Sequence, residues 1–136
     1  MPTLTRWLVK AALAWLVTAL VLGVAMQLPA AAQVPLLRVA RPTYLHLLTV
    51  GWLTQLIIGV ALWLFPRHSA ARPRGSERLG WVTFAFLNLG LLLRALGEPG
   101  RALGHDTRLL LSVSAVAQLV AVGAFVLNVW ARVLER

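Results

Sequence analysis

The chain has 136 residues, of which 60% are hydrophobic and 12% charged, and it contains no cysteine. That balance excludes an ordinary soluble domain and places the chain in the membrane class. The missing thiols exclude disulfides, thiolate metal sites, iron–sulfur clusters and haem attached through Cys-x-x-Cys-His. The net charge of +9 is not a nucleic-acid footprint, because the arginines sit in short connections between apolar runs and form no basic face interleaved with aromatics. A lipid bilayer with anionic headgroups is the expected partner, and no nucleic acid is expected.

In chain order, Arg6-Trp7-Leu8-Val9-Lys10 is followed by an apolar stretch and then by Pro29-Ala30-Ala31-Ala32-Gln33. This has the outline of a signal peptide, but an apolar part of about 18 residues exceeds a signal core, so residues 6–28 are read as the first membrane helix. Pro29, Pro35 and Pro42 interrupt the next stretch, which is too short and broken to span and is read as a loop at the membrane interface. Residues 43–65 form the second span, with Tyr44, Trp63 and Phe65 near its ends, where aromatic belts form. The following connection carries Arg67, His68, Arg72, Arg74 and Arg78 and belongs outside the bilayer. Residues 79–96 form the third span, with Asn88 and Arg94, and Gly97-Glu98-Pro99-Gly100 reads as its stop. An arginine at the centre of such a helix costs about 2.5–3.5 kcal/mol, whereas one turn from the end it reaches the interface. Residues 109–131 form the fourth span, whose Ser112, Ser114, Gln118, Gly123 and Asn128 suit contact between helices. Gly51 and Gly59, eight apart, mark a weak close-packing stripe on the second span.

One all-α membrane domain of four spans, residues 1–136, is the resulting expectation. Four spans put both termini on one side. The lysines and arginines divide eight on that side against five on the other, which favours cytoplasmic termini in an inner (plasma) membrane.

Chemistry concentrates at His46, the histidine that falls inside a span. An ionisable residue at membrane depth is a functional-site hypothesis by default. Its imidazole either bonds a neighbouring helix or ligates a metal, with haem iron the obvious candidate. Tyr44 and His46 are two apart, so at about 100° per residue they address different neighbours. Arg41 and Arg94 stand at the same level as His46 and either reach the interface or pair with haem propionates. His68 is expected to be solvated and His105 to cap a loop. The four acids, Glu77, Glu98, Asp106 and Glu135, all fall in loops or tails, so neither a nucleophile–base arrangement nor an embedded proton relay is expected.

The second span, with His46-Leu47-Leu48, Gly51-Trp52 and Leu64-Phe65-Pro66-Arg67, resembles the second helix of heme–copper oxidase subunit one. The third, with Leu87-Asn88-Leu89-Gly90-Leu91-Leu92-Leu93-Arg94 and Gly97-Glu98-Pro99, is similar to small four-helix relatives of that group. The resemblance covers about half of the chain. It implies one of the three four-helix arcs of the oxidase subunit, so that a homotrimer would rebuild a twelve-helix ring with His46 on an inner helix near the outer face. It also implies a b-type haem on His46. Family members often carry His-x-His here, whereas this chain has Tyr44 at the first position. Tyr44 of one protomer would then complete, as second ligand or distal donor, a site opened by His46 of the next. The three histidines of the copper site have no counterparts, so oxygen or nitric oxide reduction is not expected. The expectation is a haem b protein serving electron transfer or haem or gas sensing, with an unidentified redox partner. Its rival is a haem-free scaffold or accessory subunit in which His46 and Tyr44 fix packing.

Overall fold

The computed structural model describes residues 1–65 and 75–134, and these are helical without a strand. Helix α1 spans Thr3–Gln27 and is followed by a single tight turn at Pro29–Gln33. Helix α2 is the short Pro35–Val39, α3 is Arg41–Leu64, α4 is Glu77–Ala102 and α5 is Arg108–Leu134. Helices α1, α3, α4 and α5 are long and apolar enough to cross a membrane. At 1.5 Å per residue, about 20 residues cover the ~30 Å hydrocarbon layer.

Proline sets the joints at one end of the bundle. Leu28, extended ahead of Pro29, ends α1. Pro35 and Pro42 then occupy first-turn positions of α2 and α3, where a missing N–H costs nothing. The stretch expected as an interfacial loop is thus two short helical pieces. Ser76 caps α4 by accepting the Leu79 N–H at 3.4 Å, with Glu77 in the first turn. Gly104, at φ +93°, closes α4 with its own N–H on the Arg101 carbonyl and the His105 N–H on that of Gly100.

The third span corrects the sequence reading. It runs through Gly97-Glu98-Pro99-Gly100 to Ala102 instead of stopping at residue 96. Pro99 deprives only the Ala95 carbonyl of its donor, three residues from the helix end, and a bundle tolerates that loss where neighbouring groups hold the turn. A second irregularity lies in α3, where residues 47–54 widen to a π-helical turn. The Thr54 hydroxyl donates to the Thr49 carbonyl, five residues back, at 2.8 Å.

The packing is inside out relative to a soluble protein. Large aliphatics such as Val21, Val24, Leu119 and Leu127 face outward, whereas small and polar side chains, among them Ala12, Ala19, Thr83, Ser114 and Ala121, are buried. Lipid can cover the first set, and the second lets backbones approach. Helix α1 lies on α3, α3 on α4, and α4 makes its most extensive contact with α5. All four meet around Leu8, Ile58, Leu62, Leu87, Ala121 and Val129. The Gly51 and Gly59 stripe is real: both face α1, at Trp15 and Leu8 respectively. Gly90 lets α5 approach α4 so closely that Ser114 Oγ donates to the Gly90 carbonyl at 2.6 Å. Ser112 and Gly123, expected among the contact residues of α5, take no part in this interface.

The start of α1, the end of α3, the start of α4 and the end of α5 share one end of the bundle. There the Asn128 amide exchanges two hydrogen bonds with the Ser76 backbone, at 2.8 and 3.1 Å. Arg132, 1% exposed, donates to the Leu62 and Phe65 carbonyls at 3.3 and 2.6 Å and lies over the Phe65 ring. Arg132, the residue after the expected end of the fourth span, therefore lies within α5 and caps α3.

Candidate functional site

The opposite end of the bundle gathers the chemistry. Thr43 and His46 are one turn apart on α3, and Arg94 and Glu98 are four apart on α4, so each pair shares a helix face. The faces meet. Glu98 Oε1 lies 2.9 Å from His46 Nδ1 and 3.3 Å from an Arg94 N–H donor. Glu98 Oε2 accepts the Thr43 hydroxyl at 3.1 Å. Side-chain exposure falls from 33% at His46 through 21% at Arg94 to 11% at Glu98, so the carboxylate is the inner member and the imidazole the outer one.

The surroundings of His46 fix its tautomer. Nδ1 lies 3.0 Å from the Pro42 carbonyl as well as beside Glu98, and both neighbours accept only, so Nδ1 carries the proton. The Nε2 lone pair is left facing Arg94 Nη1 at 3.5 Å. Glu98 and Arg94 balance each other in charge, and the Arg94 Nε–H, buried, has no hydrogen-bond acceptor among the described residues.

The four residues singled out from the sequence divide into two pairs. His46 and Arg94 come together. Tyr44 turns to the other side of α3 and packs its ring against Gly23 of α1, as two-residue spacing on a helix requires. Arg41, exposed at the start of α3, lines a groove beside Tyr44 and does not approach the His46 cluster. His105 contributes its backbone N–H to the turn after α4, and its ring is exposed. His68 and the arginines at 67, 72 and 74 lie outside the described residues.

Sequence reasoning missed Glu98, assigning it to a turn because of Pro99 and Gly100. The available signal was its position four residues after Arg94, the spacing of an ion pair along a helix. Also missed was Gln55, fully buried, whose Nε2 reaches the Leu8 carbonyl at 3.5 Å and whose Oε1 has no partner among the described residues. Trp15 is tied to Asn88 by a 2.7 Å bond from its indole N–H.

A bare metal ion has no cage here, since no group of three His, Asp or Glu side chains converges among the described residues. A haem brings four nitrogens of its own and asks the protein for one or two ligands. The His46–Glu98 contact fits that demand, because ligating imidazoles usually give their second N–H to a carboxylate or carbonyl. Ligation through Nε2 requires the Arg94 guanidinium to turn away from it. No known protein family matches the chain, and neither a curated protein nor a solved structure is similar to it.

Proposed function

We propose that this is an integral membrane protein that presents His46 as a single imidazole ligand for a b-type haem, in the service of electron transfer or of haem or gas sensing. The observation that carries the reading is the 2.9 Å contact between His46 Nδ1 and Glu98 Oε1, which orients the ring with Nε2 toward Arg94, where a ligand would take the place of the guanidinium. Glu98 and Thr43 would hold the imidazole, and Arg94 would offer its unpartnered Nε–H to a propionate. When bound, the haem would supply one-electron or gas-binding chemistry. We propose no catalytic step. The assembly proposed with it is a homotrimer, twelve helices in a ring, in the inner (plasma) membrane with cytoplasmic termini and His46 toward the outer face. The orientation rests on the eight-against-five division of lysines and arginines in the sequence.

An absorption spectrum of the protein purified from haem-replete cells, oxidised and then dithionite-reduced, tests the reading. A Soret band with reduced α and β bands is expected. His46→Ala should remove it while the oligomer persists, and Glu98→Gln should weaken haem retention by roughly 10–100-fold, the usual effect of losing such a supporting carboxylate. Arg94→Leu should also loosen the haem. Native mass spectrometry in mild detergent should show trimers, and monomers alone would refute the assembly.

A second reading rests on its own observation: Glu98 already takes hydrogen bonds from Thr43, His46 and Arg94, so the carboxylate at the centre of the cluster is satisfied without a ligand. It then acts as a clamp between α3 and α4 in a haem-free scaffold or accessory subunit. A colourless protein that fails to take up added hemin, and that loses its oligomer on His46→Ala, would establish this alternative.

A further inference from the structure

We propose that the groove between the end of α1 and the start of α3 binds an anionic phospholipid, with the lipid phosphate on Arg41 and an acyl chain along Leu20 and Val24. The groove holds about 450 Å³ and is also bordered by Gly23, Gln27 and Tyr44. It lies at the ends of two helices of membrane-spanning length, since Gln27 is the last residue of α1 and Arg41 the first of α3. That is headgroup depth, away from the His46 cluster, and the inference does not depend on haem.

Its walls have two chemistries. Leu20 and Val24 are exposed apolar side chains that follow α1 away from the helix end, in the direction an acyl chain takes. Gly23 lacks the side chain that would push Tyr44 outward: a Cβ there would meet the Tyr44 ring at 2.9 Å, so the ring packs on α1 while Tyr44 lines the groove. The polar residues of the lining are Arg41, Gln27 and Tyr44, and none has a side-chain hydrogen bond or ion pair among the described residues. Three unpartnered donors lining one groove call for an oxygen-rich acceptor, and the fixed charge selects an anion. Within the chain there is little to answer it. Thirteen basic residues face four acids, and of the two acids at this end of the bundle Glu98 of α4 is engaged by His46 and Arg94 and Asp106 by Arg108. A phosphodiester matches the guanidinium with paired N–H···O bonds, which a zwitterionic lipid offers only against its own attached cation.

The full chain, purified in mild detergent and given equal amounts of phosphatidylglycerol and phosphatidylcholine with the same acyl chains, is examined by native mass spectrometry. Retention of phosphatidylglycerol over phosphatidylcholine by at least about fivefold is expected, the ratio that one surface arginine supplies. Arg41→Gln should remove that preference. Leu20→Trp, which fills the apolar wall and leaves Arg41 in place, should lower retention of the lipid as well. Arg38→Gln, at an exposed arginine of α2 outside the groove, should change nothing. Equal retention of the two lipids overturns the proposal, as does an Arg38→Gln effect equal to that of Arg41→Gln. So does unchanged retention in Leu20→Trp, or complete displacement of the lipid by excess glycerol phosphate, which has the headgroup and no chain.

Discussion

Glu98 Oε1 stands 2.9 Å from His46 Nδ1, so a carboxylate from a segment that reads as a helix stop holds the histidine of the neighbouring helix. Because the same oxygen also receives Arg94, the turn that leads into Pro99 is held both from α3 and from within α4. Glu98→Gln keeps the shape and replaces one acceptor by a donor, which then opposes either the imidazole and the guanidinium together, at the Oε1 position, or the Thr43 hydroxyl, at the Oε2 position. A loss of about 1–3 kcal/mol is expected, the cost of leaving a largely buried polar group unsatisfied, measured as a lower unfolding midpoint in detergent. In combination with Arg94→Leu the losses should be less than additive, since the two residues share one network.

Gly90 sets the spacing of α4 and α5. A Cβ at this position would lie 2.7 Å from Gln118 Cγ and 3.1 Å from the Ser114 carbonyl oxygen, and a backbone carbonyl cannot turn aside as a side chain can. Gly90→Ala is expected to cost about 1–3 kcal/mol through overpacking. Crosslinking of cysteines placed on the facing sides of α4 and α5 reports the accompanying separation, and unchanged crosslinking with unchanged stability would contradict it.

Arg132 terminates α3 from a distance. Replacing it by methionine keeps most of the volume and leaves the Leu62 and Phe65 carbonyls without their donor. The expected penalty is about 1–3 kcal/mol for each carbonyl that finds no water. It should appear as faster hydrogen exchange in the last turn of α3, with the far end of that helix unaffected.

Gln55 predicts the opposite sign. It is fully buried, and among the described residues its amide oxygen has no partner and its side chain makes one bond, 3.5 Å long. Gln55→Leu should therefore be neutral or stabilising by up to about 1 kcal/mol, because a half-satisfied polar group is exchanged for an apolar one of similar size. Clear destabilisation would mean that the oxygen is satisfied by a bound water or by a neighbouring molecule.

The four long helices were legible because lipid imposes a simple rule: about 20 apolar residues in a row, interrupted by proline, glycine and arginine. Local spacing also placed Tyr44 and His46 against different neighbours. What it could not place were the polar residues whose partners lie on other helices. Pro99 looks like a terminator, and the bonds that Glu98 accepts from Thr43 and His46, with the one that the Gly97 carbonyl accepts from Thr107, explain why the helix continues. Arg132 looks like a charge beyond a membrane edge, and its role depends on carbonyls exposed at the end of α3. Gln55 gives no sign in its own helix that it faces α1. Arg41 and Arg94, equal in level by sequence, separate because helical phase carries one to α1 and the other to His46.

The grip of α5 on the far end of the bundle also bears on the order in which the chain is assembled. Asn128 and Arg132 hold Ser76 and Phe65, the described residues flanking the connection between α3 and α4, yet α5 leaves the ribosome after both helices. The α3–α4 hairpin is therefore made before the Asn128 and Arg132 side chains that bond the Ser76 backbone and the Phe65 carbonyl. These groups are satisfied within the protein only when the last turns of α5 arrive. Insertion of the hairpin and its completion are thus separate events in biogenesis, with the C-terminal helix acting as the latch for two helices made before it.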